Sequence, residues 1–273
     1  MTVRKLARRE FRESLRNYWF WVNSGVFLSG GVLLVFFGQA DVAVLGYRGV
    51  ARSLAGLMQL ALFIVPLMAV FPTATVLAGE REVGTLDYLL AQPVSRADVF
   101  AGKWLGVAAA VLASLLGGMA LVAGLAAWRG MPPLLLLELT GLAVLLALVF
   151  VSLGLWISAA TSTQGRATSL GLTLWLFLLA LGSLGLLGAF VGWGFPPAVL
   201  EAWAFLNPVE AFRMAMVTLL DPQLHMLGPV GADLAERMGA GLLVGASLAS
   251  LVLWIGAAYA GGRRAFLAPG RRA

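Results

Sequence analysis

Few residues in this chain could do chemistry, and one internal segment is the most polar. Residues 79–103 carry Glu80, Arg81, Glu82, Asp87, Arg96, Asp98 and Lys103 between two long apolar runs. Unpaired charge is expensive in lipid, so a segment this polar is expected to face water. Elsewhere the reactive inventory is thin. There is no cysteine, which excludes a disulfide framework and thiolate metal sites. The single histidine, His225, cannot by itself supply a metal cage. Met214, Met216, His225 and Met226 are the weak metal candidates, because thioether and imidazole ligands suit Cu(I). Methionine is more often apolar filler, and residues two apart do not share a helix face, so no metal site is assigned. No Gly-x-x-x-x-Gly-Lys-Ser/Thr phosphate loop occurs, so this chain is not expected to bind ATP in the usual way, and no cofactor is expected in it. No acidic residue falls near the middle of a long apolar run, which argues against a proton- or sodium-coupled transporter.

The elements that position these residues follow from hydropathy. The chain has 273 residues, 60% hydrophobic and 12% charged, with mean hydropathy +0.92. A soluble domain carries about 25% charged residues. The fold class is therefore an all-α polytopic membrane protein. Uncharged windows at 17–40, 53–79, 104–128, 139–165, 167–200 and 238–262 are each long enough to cross a bilayer. They predict six transmembrane helices near 19–38, 54–78, 104–127, 136–160, 168–191 and 239–260 in one transmembrane domain, 1–273. With both termini inside, fourteen of the 19 lysines and arginines fall in 1–18, 79–103, 161–167 and 261–273. That bias predicts N-in and C-in topology in a bacterial cytoplasmic membrane. The net charge of +6 then reports topology and anionic lipid, with no nucleic acid partner expected.

Residues 1–18 predict an amphipathic interfacial helix. Val3, Ala7, Phe11, Leu15 and Tyr18 form its apolar side, and Arg4, Arg8, Arg12 and Arg16 its polar one. Pro66 and Pro72 predict a bend in the second span. The third and fourth spans meet at a short turn, Arg129–Pro133. Gly182, Gly185 and Gly188 suggest close packing of the fifth span. The outer segment 192–238 predicts two short helices, 198–206 and 208–220, half-buried in the outer leaflet, with Pro208 at a first helical position.

Within the polar segment, Ser95 with Asp98 reads as a capping box that starts the third span. Thr85 is the expected cap of a short crosswise helix over 85–91, with Asp87 in its first turn and Pro93 beyond its end. Tyr88 stands among its charges. The expected structure is a compact knob on the inner membrane face.

The run Gly79-Glu-Arg-Glu-x-Gly-Thr-Leu-Asp-x-Leu-Leu-Ala-x-Pro-Val-Ser-Arg96, followed by Gly102-Lys103, resembles the signature of ABC-2-type transporter permeases, with Asp87 where glutamate is commoner. The resemblance covers essentially the whole chain. It implies a type V exporter-like fold, a coupling helix, a separate cytoplasmic ABC ATPase that holds ATP and Mg, and a second permease copy in a homodimer. Glu80, Glu82, Gly84, Thr85, Asp87, Pro93, Arg96 and Lys103 match motif positions, and the expected ATPase-docking residues are Glu80, Arg81, Glu82, Gly84, Thr85, Asp87, Tyr88, Pro93 and Arg96. The Leu89–Arg96 run, with Phe205-Leu-Asn-Pro-Val-Glu-x-Phe-Arg213, looks like the permease subunits that serve copper-site maturation of nitrous oxide reductase. That resemblance implies a periplasmic β-helix partner, met through Asn207, Pro208, Glu210, Phe212 and Arg213. An exporter of drugs, lipids or glycans, and a membrane scaffold that recruits a cytoplasmic factor, are the rival readings. An enzyme in its own right is disfavoured, since acid, base and metal residues do not cluster.

Overall fold

A computed structural model describes residues 3–16, 18–37, 46–190, 197–221 and 236–268. Among them the order is α1 (Val3–Leu15), α2 (Tyr18–Phe37), α3 (Gly46–Glu82), α4 (Thr85–Leu90), α5 (Arg96–Trp128), α6 (Pro133–Ala160), α7 (Gln164–Phe190), α8 (Pro197–Leu206), α9 (Pro208–Leu220) and α10 (Ala240–Leu267). Five helices hold stretches long and apolar enough to cross a membrane: Arg52–Glu82, Arg96–Trp128, Pro133–Ala160, Gln164–Gly182 and Ala240–Leu267. The expected first span coincides with α2, whose apolar part, Trp21–Phe37, is shorter than the rest.

The long helices are apolar nearly all round, so neighbours and lipid share their surfaces. Leu62, Val65, Leu115, Leu139, Leu146, Phe150 and Phe212 are fully or almost fully buried in the central core. α3 runs unbroken through Pro66 and Pro72. It is fastened to α6 where Gly154, having no Cβ, admits the side chain of Thr73. One turn further, Ser158 Oγ accepts from the backbone N–H groups of Leu77 (2.9 Å) and Ala78 (3.0 Å). A hydroxyl that takes two main-chain donors of a neighbouring helix fixes that pair in register.

Two placements differ from the sequence expectation. The first concerns α1, which packs on α5. Its fully buried residues are Leu6, Glu10 and Ser14, while Val3, Ala7, Phe11 and Leu15 are only half-buried. The approach is close because α5 offers Gly102 and Gly106. A Cβ at Gly106 would stand 2.5 Å from the Ala7 carbonyl oxygen and 2.5 Å from Glu10 Cβ. Gly106→Ala is therefore expected to push α1 off α5 at ~1–3 kcal/mol, as overpacking does. Faster trypsin cleavage within α1 is the measurement.

The second is α9, which is not a half-buried surface helix. Pro208 to Thr218 are all buried, among α3, α6, α7 and α10. Its two ends match the expectation. Asn207 Oδ1 accepts from Val209 N–H at 3.0 Å, and Pro208 takes the first helical position.

Candidate coupling interface

The polar segment builds its knob from the backbone outward. α3 ends at Glu82, and the chain turns at Gly84, whose φ of 77° suits glycine. Gly84 is the N-cap of α4 and makes no side-chain cap. Thr85, expected to be the cap, is instead the first helical residue. Its hydroxyl donates back to the Glu80 carbonyl at 3.2 Å. α4 stops at Leu90, and Ala91 is its C-cap. Ser95 caps α5 as expected, accepting from Asp98 N–H at 3.0 Å.

The spacing of leucines decides which way α4 faces. Leu86 and Leu89, three apart, share a face and are buried. They join a cluster with Leu6, Leu77, Val99, Phe100, Leu155, Ala159 and Phe266, drawn from α1, α3, α5, α6 and α10. Burying each leucine contributes roughly 1.5–3 kcal/mol, which roots the short helix in five longer ones. Its other face is open. Tyr88 is 80% and Val83 76% exposed, and Thr85, Asp87, Pro93 and Arg96 are exposed as well.

The nine expected docking residues therefore divide. Asp87, Tyr88, Pro93 and Arg96 stand outward. Gly84 shapes the turn. Arg81 and Glu82 hold the neighbouring connection between α6 and α7: Arg81 donates to the Thr161 carbonyl, and Glu82 Oε2 accepts from Gln164 N–H at 2.8 Å. Carboxylate at a helix N-terminus also suits the helix dipole.

Glu80 belongs to an internal network. Lys103 Nζ, fully buried, lies 2.6 Å from Glu10 Oε1 and 2.8 Å from Glu80 Oε2. One ammonium thus joins α1, α3 and α5. Glu13 lies close to both carboxylates and is paired with Arg9 at 2.7 Å. Burial pushes the Glu10 carboxyl above the usual carboxylate range, and Lys103 pulls it only part of the way back. Glu10 and the outward Val83 carry no motif signal. The cue for Glu10 was an acidic residue on the buried stripe of a basic helix.

At α9, Asn207 Nδ2 donates to the Leu178 carbonyl at 2.7 Å. Arg213 Nη1 lies 2.7 Å from Glu210 Oε1, and both side chains are buried. Gly182 of α7 leaves the room that the Glu210 carboxyl fills. Asn207, Pro208, Glu210, Phe212 and Arg213 are thus inside the chain, where they cannot offer side chains to an outer partner. Met214 and Met216 are buried in the apolar core. The other two metal candidates, His225 and Met226, lie outside the described residues.

Residues 4–269 match the ABC-2 family transporter protein family. The chain belongs to that family. Two relatives of this permease agree in name. A probable ABC transporter permease protein NosY from Pseudomonas aeruginosa is 32% identical over 264 residues, covering 93% of this chain and 94% of the relative. A protein of the same description from Stutzerimonas stutzeri is 30% identical over 242 residues, covering 85% and 88%. The permease is thus a multi-pass membrane subunit of an ABC transporter.

Proposed function

We propose that a separate cytoplasmic ATPase docks on the outward face of α4, and that the complex serves copper-site maturation of nitrous oxide reductase. The observation that carries the docking role is the two-sidedness of α4. Val83, Asp87, Tyr88 and Arg96 are free to meet a partner, while Leu86 and Leu89 are rooted in five helices. A push on the outer face is delivered to α1, α3, α5, α6 and α10 together. Arg81 and Glu82 extend it to α7. The lysine and arginine bias puts this end in the cytoplasm, with both termini inside. ATP and Mg would bind in the ATPase, and a second permease copy would complete the core.

The maturation role is supported by the two NosY relatives. The buried position of α9 makes it a transmitter in the outer half of the protein. Contact with a periplasmic β-helix partner then falls to the rest of the 192–238 segment.

Tyr88→Ala is expected to weaken ATPase docking about 30-fold, the loss of an aromatic anchor worth on the order of 2 kcal/mol. Tyr88 is exposed, so the permease should stay folded. Copurification of the ATPase with wild type and variant measures it, and undiminished binding would remove α4 as the docking site. Deleting the permease gene should leave nitrous oxide reductase without its copper site. A fully loaded reductase in the deletion strain would favour the exporter reading.

A further inference from the structure

We infer that α1 is a lever seated on anionic phospholipid headgroups, and that Lys103 passes its seating to the coupling segment. The second half rests on the docking role proposed for α4.

The first half starts from the two faces of α1. Leu6, Glu10 and Ser14 are buried against α5, while Arg4, Arg8, Arg12 and Arg16 are exposed. Residues four apart fall on one stripe of a helix, so these guanidinium groups stand side by side. Glu10 is taken by Lys103 and Glu13 by Arg9. Among the described residues, no acidic side chain neutralises the stripe.

What the stripe meets is argued from its surroundings. The apolar helix α2 begins at Tyr18, just past the end of α1. Tyr18 is 75% and Trp21 60% exposed, and both stand at that corner. Trp21 Nε1 donates to the Leu15 carbonyl at 2.7 Å, which fixes the angle at which α1 leaves α2. Tyrosine and tryptophan favour the headgroup level of a bilayer. An arginine stripe held there by a membrane-entering helix has lipid phosphate as its nearest anion.

The route inward is the Lys103 junction. Lys103 holds Glu10 of α1 and Glu80 of α3 at once. The Glu80 carbonyl in turn accepts from the Thr85 hydroxyl at the start of α4. Between α1 and α5 there is little slack, because the Gly106 approach leaves no room for a Cβ. A shift of α1 therefore moves the base of the coupling segment.

The test uses the intact permease–ATPase complex in nanodiscs of phosphatidylcholine alone, and of equal parts phosphatidylcholine and phosphatidylglycerol. ATP hydrolysis and phosphatidylglycerol retained on detergent extraction are the two readouts. Wild type should hydrolyse ATP several-fold faster with phosphatidylglycerol present, and added salt should blunt the difference. Changing Arg4, Arg8, Arg12 and Arg16 together to glutamine should abolish both the response and the retained lipid. Glu10→Gln keeps a hydrogen-bond acceptor but removes the charge. It should retain phosphatidylglycerol yet lose the response. Equal activity of wild type in the two lipids, or a normal response from the four-glutamine variant, would overturn the inference. A normal response from Glu10→Gln would overturn the Lys103 route. If no ATPase assembles, the docking reading falls, while lipid retention still decides whether the arginine stripe holds anionic lipid.

Discussion

Arg213→Met is expected to destabilise the packing of α9 by ~3–5 kcal/mol, the cost of stranding one member of a buried ion pair. Glu210 would be left buried without its ion-pair partner, since both residues are buried and Arg213 Nη1 lies 2.7 Å from Glu210 Oε1. The carboxyl has nowhere to retreat, because it already fills the space left by Gly182. Changing Glu210 and Arg213 together to methionine removes both charges. Replacing a whole buried pair with apolar side chains is often neutral or stabilising, so the double variant should recover most of the loss. Thermal unfolding of the single and double variants in detergent measures the coupling. A single variant as stable as wild type would show that the pair contributes nothing. Gly182→Ala should reproduce the single defect by a different route, because the added methyl displaces Glu210 from Arg213.

That pair also marks where sequence reasoning ran out. Glu210 and Arg213 were expected on a partner-facing surface because the family resemblance assigns this stretch to an outer contact. The rest of α9 said otherwise. Val209, Ala211, Phe212, Met214, Ala215, Met216 and Val217 surround the helix with apolar side chains, and a helix apolar on all sides is a buried one. What periodicity could not supply was the i,i+3 pairing that lets two charges go inside together. The local signals, by contrast, were reliable. Asn207-Pro208 opened α9, and Ser95 with Asp98 opened α5, because caps depend on residues within three positions. The short helix α4 was legible for the same reason, except that Gly84 and not Thr85 caps it. Contacts distant in sequence were not legible. Glu80 carries the family motif and so was expected to dock a partner. Its carboxylate instead serves Lys103, while Glu10, 93 residues from Lys103, completes the junction. Nothing in a single sequence marks an acid on α1 as the mate of a lysine on α5.

The largest effect near α4 is expected from Lys103→Met. Lys103 is fully buried, and its ammonium lies between two carboxylates. A third, Glu13, is close to both. Methionine fills most of the same volume, so packing against α1 is largely kept and the change isolates charge. Without the ammonium, the Glu10 and Glu80 carboxylates would face one another at a poorly solvated junction, with Glu13 close by. The expected cost is again ~3–5 kcal/mol, delivered first to the attachment of α1. Acid should relieve it, and the sign follows from Glu10. Burial already raises its carboxyl above the usual range, so its contribution to docking α1 is fully present below the ordinary carboxylate pKa. That contribution is lost as pH rises through the raised value. Removing Lys103 takes away the main influence that lowers this carboxyl, so protonation should set in at still higher pH. The variant should therefore regain thermal stability, and resistance to trypsin within α1, on going from neutral to mildly acidic buffer. Wild type should change less over the same interval. Adding Glu10→Gln to Lys103→Met should flatten that pH dependence, because Glu10 is the more deeply buried of the two carboxylates that Lys103 serves. A variant as stable as wild type at neutral pH would show that the junction is solvated well enough to do without its lysine.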